Sequence, residues 1–143
     1  MMVVISPIET AKAQWEANSL PYPLITHHRR RIITEDFRRL GDAIALLVWT
    51  DKCEVKKIES LCPRTGAASH LLRYILSLAD AYEITLFGNA RAYTSPHQGS
   101  CNSIMLQADL EIWYIKYGFT LHRFRVGGEE VVEFWYPHSP HAA

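Results

Sequence analysis

The ten residues from Pro63 to Leu72, with the sequence PRTGAASHLL, decide the fold of this 143-residue chain. Small residues at Gly66–Ala68 let the backbone approach a ligand closely, and the apolar spacing that follows is that of a helix. The first N–H groups of a helix have no intrahelical partner and lie at its positive end. The segment therefore predicts an anion site suited to a pyrophosphate. A short connection that only lets the helix pack on a sheet fits the same residues.

The segments on the C-terminal side of this turn have alternating helix and strand signals. The predicted elements are a helix at His70–Tyr82, a buried strand at Ile84–Phe87, a loop at Arg91–Ser103, a helix at about Ile104–Tyr117, and strands at Phe119–Val126 and Glu130–Tyr136. Gly118 fits the residue that ends the second helix. Gly127-Gly128 is a two-residue hairpin signal between the last two strands.

The segments on the N-terminal side predict further strands and two helices. The predicted elements are a strand at Met2–Ile5, a helix from the capping box Ser6–Glu9 to about Asn18, a short helix at about Glu35–Leu40, and strands at Ala43–Thr50 and Cys53–Leu61. Pro21 and Pro23 are expected to break the first helix. Two hairpins and the intervening helices predict an α/β (α+β) protein with a mixed, mostly antiparallel central sheet flanked by helices. We expect one domain over residues 1–136 and a flexible tail from Pro137 to Ala143.

Composition excludes few classes of function. Fifteen acidic and fifteen basic residues give a formal net charge of zero, so global charge does not favour nucleic acid or membrane binding. Three cysteines, at Cys53, Cys62 and Cys101, are an odd number without metal-ligand spacing, which favours a reducing cytoplasm and no metal site. No apolar run is as long as a membrane span. The basic cluster His27–Arg31 could meet nucleic acid or an acidic partner, but a solvated face offset by nearby acids is the favoured interpretation.

Two motifs in this order resemble the GNAT (N-acetyltransferase) superfamily. The turn of that family, Gln/Arg-x-x-Gly-x-Gly/Ala, is met by Gly66 and Ala68, whereas Pro63 replaces the Gln/Arg and the basic residue comes one position later. The later motif of the family, Tyr-x-x-x-Gly-Phe, is met at Tyr114 and the Gly118-Phe119 pair. The resemblance covers about residues 43–136 and implies a GNAT-like fold.

The resemblance also implies an acyl-CoA-dependent N-acyltransferase, with acetyl-CoA as the acyl donor and direct attack by a primary amine. In that family two sheet strands splay beside the turn, and the pantetheine of CoA fills the gap. The residues that this implies for cofactor binding are Leu61, Cys62, Arg64, Thr65, Gly66, Ala67, Ala68, Ser69 and Asn89. A backbone N–H in the Leu61–Cys62 region would polarise the thioester carbonyl.

Two residues are implied as catalytic groups. Tyr114 would protonate the leaving thiolate, although an aromatic residue packing beside Trp113 fits equally. Glu59, near the end of the strand before the turn, is the first choice for the general base and Glu54 the second, although a solvated acid is common at a strand end.

The alternative function is a non-catalytic GNAT-like binding or structural protein with a degenerate CoA site, such as one of bacteriophage origin. For the enzyme, the acceptor would be a small-molecule or protein amine. The late strands Phe119–Val126 and Glu130–Tyr136 could form a homodimer contact. No membrane partner is expected, and nucleic acid is disfavoured.

Overall fold

The computed structural model describes residues 6–62, 65–91 and 106–137. The predicted strand Met2–Ile5, residues Pro63 and Arg64, nearly all of the Arg91–Ser103 loop and the tail after Pro137 lie outside the described residues. The elements are three helices, α1 Pro7–Asn18, α2 Ala67–Tyr82 and α3 Gln107–Lys116, and seven strands, β1 Leu20–His28, β2 Arg31–Leu40, β3 Ala43–Trp49, β4 Cys53–Ser60, β5 Leu86–Asn89, β6 Thr120–Val126 and β7 Glu129–Tyr136. None of the described helices is long and apolar enough to cross a membrane.

The seven described strands form one sheet in the order β1-β2-β3-β4-β5-β7-β6. Strands β4 and β5 are parallel, and every other neighbouring pair is antiparallel. Helix α2 supplies the crossover between the two parallel strands, which no tight turn could join. The predicted fold class, a mixed and mostly antiparallel central sheet flanked by helices, is confirmed.

Capping residues and turn residues explain why several elements were predicted correctly. The Ser6 hydroxyl oxygen accepts a hydrogen bond from the Glu9 N–H at 3.3 Å, as the capping box predicts, and α1 follows. Ala11 and Trp15 are the buried residues of that helix. The β3–β4 and β6–β7 hairpins also form where alternation and turn residues indicate them.

The short helix predicted at Glu35–Leu40 is wrong, because these residues belong to strand β2. All nine residues of β1, Leu20–His28, pair with β2 in an antiparallel ladder. Phe37 is buried against the side chains of Leu24 and Ile44, and this contact needs the alternation of a strand. Thr34-Glu35-Asp36 is a local helix-start signal, and pairing with β1 overrides it.

Prolines 21 and 23 follow the end of α1, as expected, but they lie inside β1 rather than in a loop. Strand β1 stands at one edge of the described sheet. An edge strand tolerates proline because one of its sides has no ladder that requires an N–H donor.

Different elements pack on the two faces of the sheet. The helical face carries α1, α2 and α3, which pack on alternate strand residues such as Ala43, Ala45 and Phe134. On the second face, defined by Leu24, Phe37 and Ile44, the described core residues all come from strands. Directly paired residues of neighbouring strands share a face, so the register assigns the remaining strand residues to one face or the other.

Candidate active site

Strands β4 and β5 are paired over a short length and then separate. The paired residues are Cys53 with Leu86 and Glu54 with Phe87. A Cβ at Gly88 would lie 2.5 Å from the Val55 carbonyl oxygen, so the two backbones are still in contact there. Beyond that point β4 continues to Ser60 along β3, after a bulge in their register, and no described strand pairs with its other edge. The unpaired edge of β4 after Val55 lies where the resemblance implied a splay, and β5 itself ends at Asn89.

The predicted turn ends where α2 begins. Gly66 is the N-cap residue, with φ of 78° and ψ of 9°, in the left-handed region that favours glycine. The His70 N–H donates to the Gly66 carbonyl oxygen at 2.9 Å as the first bond of the helix. The N–H groups of Ala67, Ala68 and Ser69 come before that bond and have no intrahelical partner. A helix start of this kind can hold an anion.

A groove with a cavity volume of about 640 Å³ lies at this helix start. Its lining residues are Leu40, Asp42, Thr65, Gly66, Ala67, Ser69, His70, Arg73, Lys116 and Tyr117. Asp42 is the acidic residue among them, and its carboxylate is already paired with Arg39 at 2.9 Å. The exposed Arg73 and Lys116 add positive charge to the positive end of α2, so the groove favours a polyanion.

Tyr117 on the groove wall is held beside both cations. The Arg73 guanidinium carbon and the Lys116 Nζ each lie 5.7 Å from the Tyr117 ring centroid. Hydrogen bonding to Ser69, with a smaller contribution from these two positive charges, lowers the pKa of Tyr117. The Trp113 Nε1–H donates to the Ser69 hydroxyl oxygen at 2.9 Å, which fixes α3 against the start of α2.

Sequence reasoning missed Arg73, Lys116 and Tyr117. Arg73 follows Ser69 by four residues, so one helical turn of spacing from the predicted turn could have identified it. Lys116 and Tyr117 come from the end of α3, and only tertiary packing brings them to the groove.

Backbone groups of Leu61 and Cys62, before the turn, already make hydrogen bonds within the chain. The Leu61 N–H, one of the two groups expected to polarise a thioester carbonyl, instead donates to the Asp42 carbonyl oxygen at 2.8 Å. Cys62 is exposed, and its carbonyl oxygen accepts from the hydroxyls of Ser60 and Thr65, each at 2.7 Å. These two bonds tie Cys62 to Ser60 and to Thr65. Arg64 lies outside the described residues.

Glu59 is on the second face, in the part of β4 that has separated from β5. It pairs with Ile44 and is only 5% exposed. Its Oε1 accepts no hydrogen bond from any described residue, whereas the nearby Lys57 ammonium pairs with Glu35 at 3.1 Å. A buried carboxylate oxygen without a described donor costs free energy unless a ligand, an ion or water supplies one.

Tyr114 is on the helical face and 4% exposed. Its ring stacks on Phe134 with centroids 4.1 Å apart, and meets Phe119 edge-on at 5.3 Å. The ring of Tyr114 is therefore a packed core aromatic. That its hydroxyl acts as the general acid stays a prediction. Tyr114 and Glu59 lie on opposite faces of the sheet. Asn89, at the exposed end of β5, pairs with Glu133 of β7.

Among solved structures, two distant similarities were found. The anti-CRISPR protein AcrVA5 shares 17% sequence identity, with a TM-score of 0.48 over 66% of this chain and 92% of that chain. An acetyltransferase of Bacillus subtilis in complex with CoA shares 14% identity, with a TM-score of 0.37 over 90% of this chain and 83% of that chain. No family model matches the chain, and no curated protein does.

Proposed function

We propose that this chain is an acyl-CoA-dependent N-acyltransferase that transfers an acetyl group to a primary amine by direct attack. The observation that carries the proposal is the start of α2, where unpaired N–H groups open onto a groove with two cations, Arg73 and Lys116. The buried Glu59 oxygen, which has no donor among the described residues, supports a catalytic role over the non-catalytic alternative.

The groove residues fit the anionic part of CoA. The N–H groups of Ala67–Ser69 would hold the diphosphate, as helix starts do in other phosphate sites. Arg73 and Lys116 would add charge-assisted contacts to phosphate oxygens. The cavity volume of about 640 Å³ lies within the range of roughly 300–1,000 Å³ of small-molecule sites.

The separated edges of β4 and β5 suit the chain of pantetheine, which needs backbone partners on both sides. Acyl-CoA supplies an activated carbonyl and a thiolate leaving group. The Glu59 carboxylate would accept a proton from the incoming ammonium, directly or through water, so that the nitrogen lone pair attacks the carbonyl carbon. Tyr114 would give its proton to the sulfur as the C–S bond breaks, and the second proton, which the nitrogen loses as it becomes an amide, would restore the phenol through water. The Leu61 N–H already donates to the Asp42 carbonyl oxygen. The Cys62 N–H is therefore the group that would polarise the thioester carbonyl.

Replacing Arg73 with glutamine is expected to weaken CoA binding about tenfold, which corresponds to about 1.4 kcal/mol. The change removes one charge-assisted contact but keeps the helix. Isothermal titration calorimetry with CoA measures it, and Lys12→Gln, an exposed site on α1, is the matched control. An unchanged affinity would remove Arg73 from the site, and the absence of CoA binding by the unmodified chain would end the proposed function.

Tyr114→Phe tests the acid role without disturbing the stack on Phe134. If the hydroxyl protonates the thiolate, we expect kcat to fall about 10²-fold with the same KM for acetyl-CoA and the same thermal stability. The release of free thiol reports the rate. Full turnover by this variant would leave Tyr114 with packing as its role.

A further inference from the structure

The hairpin of β1 and β2 projects beyond its contact with the rest of the sheet. Strand β2 pairs with β3 only over residues 38–40, whereas its pairing with β1 continues as far as Arg31. The Glu35 carboxylate pairs with the Lys57 ammonium of β4 at 3.1 Å, and four further residue pairs follow before the turn. At about 3.4 Å for each pair, residues 25–34 form an arm about 14 Å long.

The charged residues of this arm are all basic. The three arginines at 29–31 are exposed, and none of the ion pairs between described residues includes any of them. The acids expected to offset this cluster lie outside the arm. Glu35 is paired with Lys57, Asp36 is the next residue along β2, and Asp42 is paired with Arg39 at 2.9 Å. The positive charge of the arm is therefore open to an anionic partner.

The turn at the end of the arm is made of residues that do not suit its backbone. Arg29 and Arg30 form the two-residue loop between the paired His28 and Arg31, with φ of 48° and 66°. A hairpin loop with positive φ at both positions is best formed by Asn-Gly, and other residues are strained there. The turn alone does not account for two arginines, whereas a role for their exposed guanidinium groups does.

One side of the arm is apolar and open. Ile25 pairs with Thr34, and His27 pairs with Ile32, so the two isoleucines are diagonal neighbours on the same side of the ribbon. Their side chains are 61% and 69% exposed. Neighbouring exposed apolar side chains that are bordered by polar residues mark an interaction surface.

We propose that this arm docks the protein on an anionic bilayer surface, with Ile25 and Ile32 in the interfacial layer and the arginines of the turn on lipid phosphates. Such a surface engages both features, since stable surface binding takes an apolar and a basic signal together. A nucleic acid backbone would engage only the arginines. The sequence expectation of no membrane partner rested on the absence of a spanning apolar run, and surface docking requires no such run.

Co-sedimentation of the full chain with lipid vesicles tests the proposal. One kind of vesicle is phosphatidylcholine alone, and the other contains about 30% phosphatidylserine as the anionic lipid. At about 0.1 M salt we expect the partition coefficient to be at least about tenfold higher with phosphatidylserine. At about 0.5 M salt the charges are screened, so this preference should shrink.

The double variant Arg29→Asn/Arg30→Gly removes two charges and gives the turn the residues that it prefers, so the variant is expected to fold. Each arginine near an anionic surface contributes about fivefold to binding, and the variant should therefore bind phosphatidylserine vesicles about thirtyfold less tightly. Lys12→Gln/Lys56→Gln removes two positive charges from exposed sites outside the arm. It is the matched control and should stay within about a factor of two of the wild type.

The double variant Ile25→Thr/Ile32→Thr tests the apolar contact and keeps β-branched residues in both strands. It should weaken vesicle binding at least about tenfold, and the loss should persist at high salt. Equal partition into the two kinds of vesicle, or unchanged partition of either arm variant, would overturn the proposal.

A DNA duplex of about 20 base pairs is the comparison for a nucleic acid partner. Binding to the duplex that the arginine variant loses and the isoleucine variant keeps, without binding to vesicles, would assign the arm to nucleic acid and overturn the bilayer as its occupant. CoA binding should be the same in both arm variants, because the arm does not line the groove at the start of α2. The docking proposal and the proposed function are therefore tested separately.

Discussion

Glu59→Gln is expected to lower kcat for acetyl transfer by about 10²- to 10⁴-fold, the usual contribution of a general base. The amide has nearly the same shape but cannot take a proton from the ammonium. The free energy of unfolding should not fall, because the change removes a carboxylate that is 5% exposed and has an oxygen without a described donor. Steady-state kinetics with butylamine and a urea titration measure the two quantities.

A pH series separates the base role of Glu59 from a structural one. Free amines have a pKa near about 10, so the deficit of Glu59→Gln should shrink as the pH approaches that value and the amine enters already deprotonated. Glu16→Gln provides the comparison for a carboxylate outside the site. A variant that keeps more than a third of the wild-type kcat at neutral pH would show that another group, or water alone, takes the proton.

Phe134→Ala is expected to reduce the free energy of unfolding by about 3–5 kcal/mol, the range for an aromatic side chain removed from a core. Phe134 is 0% exposed and is the ring on which Tyr114 stacks and Phe119 packs edge-on. Its Cζ would lie 2.6 Å from a Cβ at Gly88, so the same ring also fills the space beneath β5. Urea denaturation followed by tryptophan fluorescence measures the loss.

Phe134→Leu is the matched control for this core position. It keeps most of the apolar volume, so the loss should be below about 1.5 kcal/mol. We also expect Phe134→Ala to slow acetyl transfer at temperatures where the variant is still folded, because Tyr114 loses its support. A loss under about 1 kcal/mol for the alanine variant would contradict the central place of this aromatic cluster in the core.

The elements that sequence could predict are those with local signals. Helix α1 has its Ser6 cap, and α2 has a continuous apolar stripe that includes Leu71, Leu72 and Ile75. Strand β2 could not be predicted in the same way, since Glu35 carries a helix-start signal and only the pairing with β1 makes the segment extended. Pairing between two strands does not produce a recognisable hydrophobic pattern within the short sequence of either strand.

The candidate site also combines features that have a local sequence signal with features that depend on tertiary packing. Gly66 and its small neighbours could be predicted as the turn that starts α2, because backbone geometry depends on adjacent residues. The groove cations could not all be predicted, since Lys116 reaches the turn from a helix about fifty positions later in the chain. The burial of Glu59 was also beyond the sequence, because Glu59 lies beside Ile44, which is buried with Leu24 of β1 and Phe37 of β2.

The prolines in β1 have a consequence for aggregation. An incoming strand of another molecule needs a continuous row of N–H and C=O groups on the edge to which it adds. Pro21 and Pro23 each lack the N–H, so β1 offers an interrupted template along the half that contains them. The opposite edge of the described sheet, β6, contains no proline in Thr120–Val126. Addition of a further strand is therefore discouraged at β1, whereas β6 keeps an uninterrupted row of N–H and C=O groups.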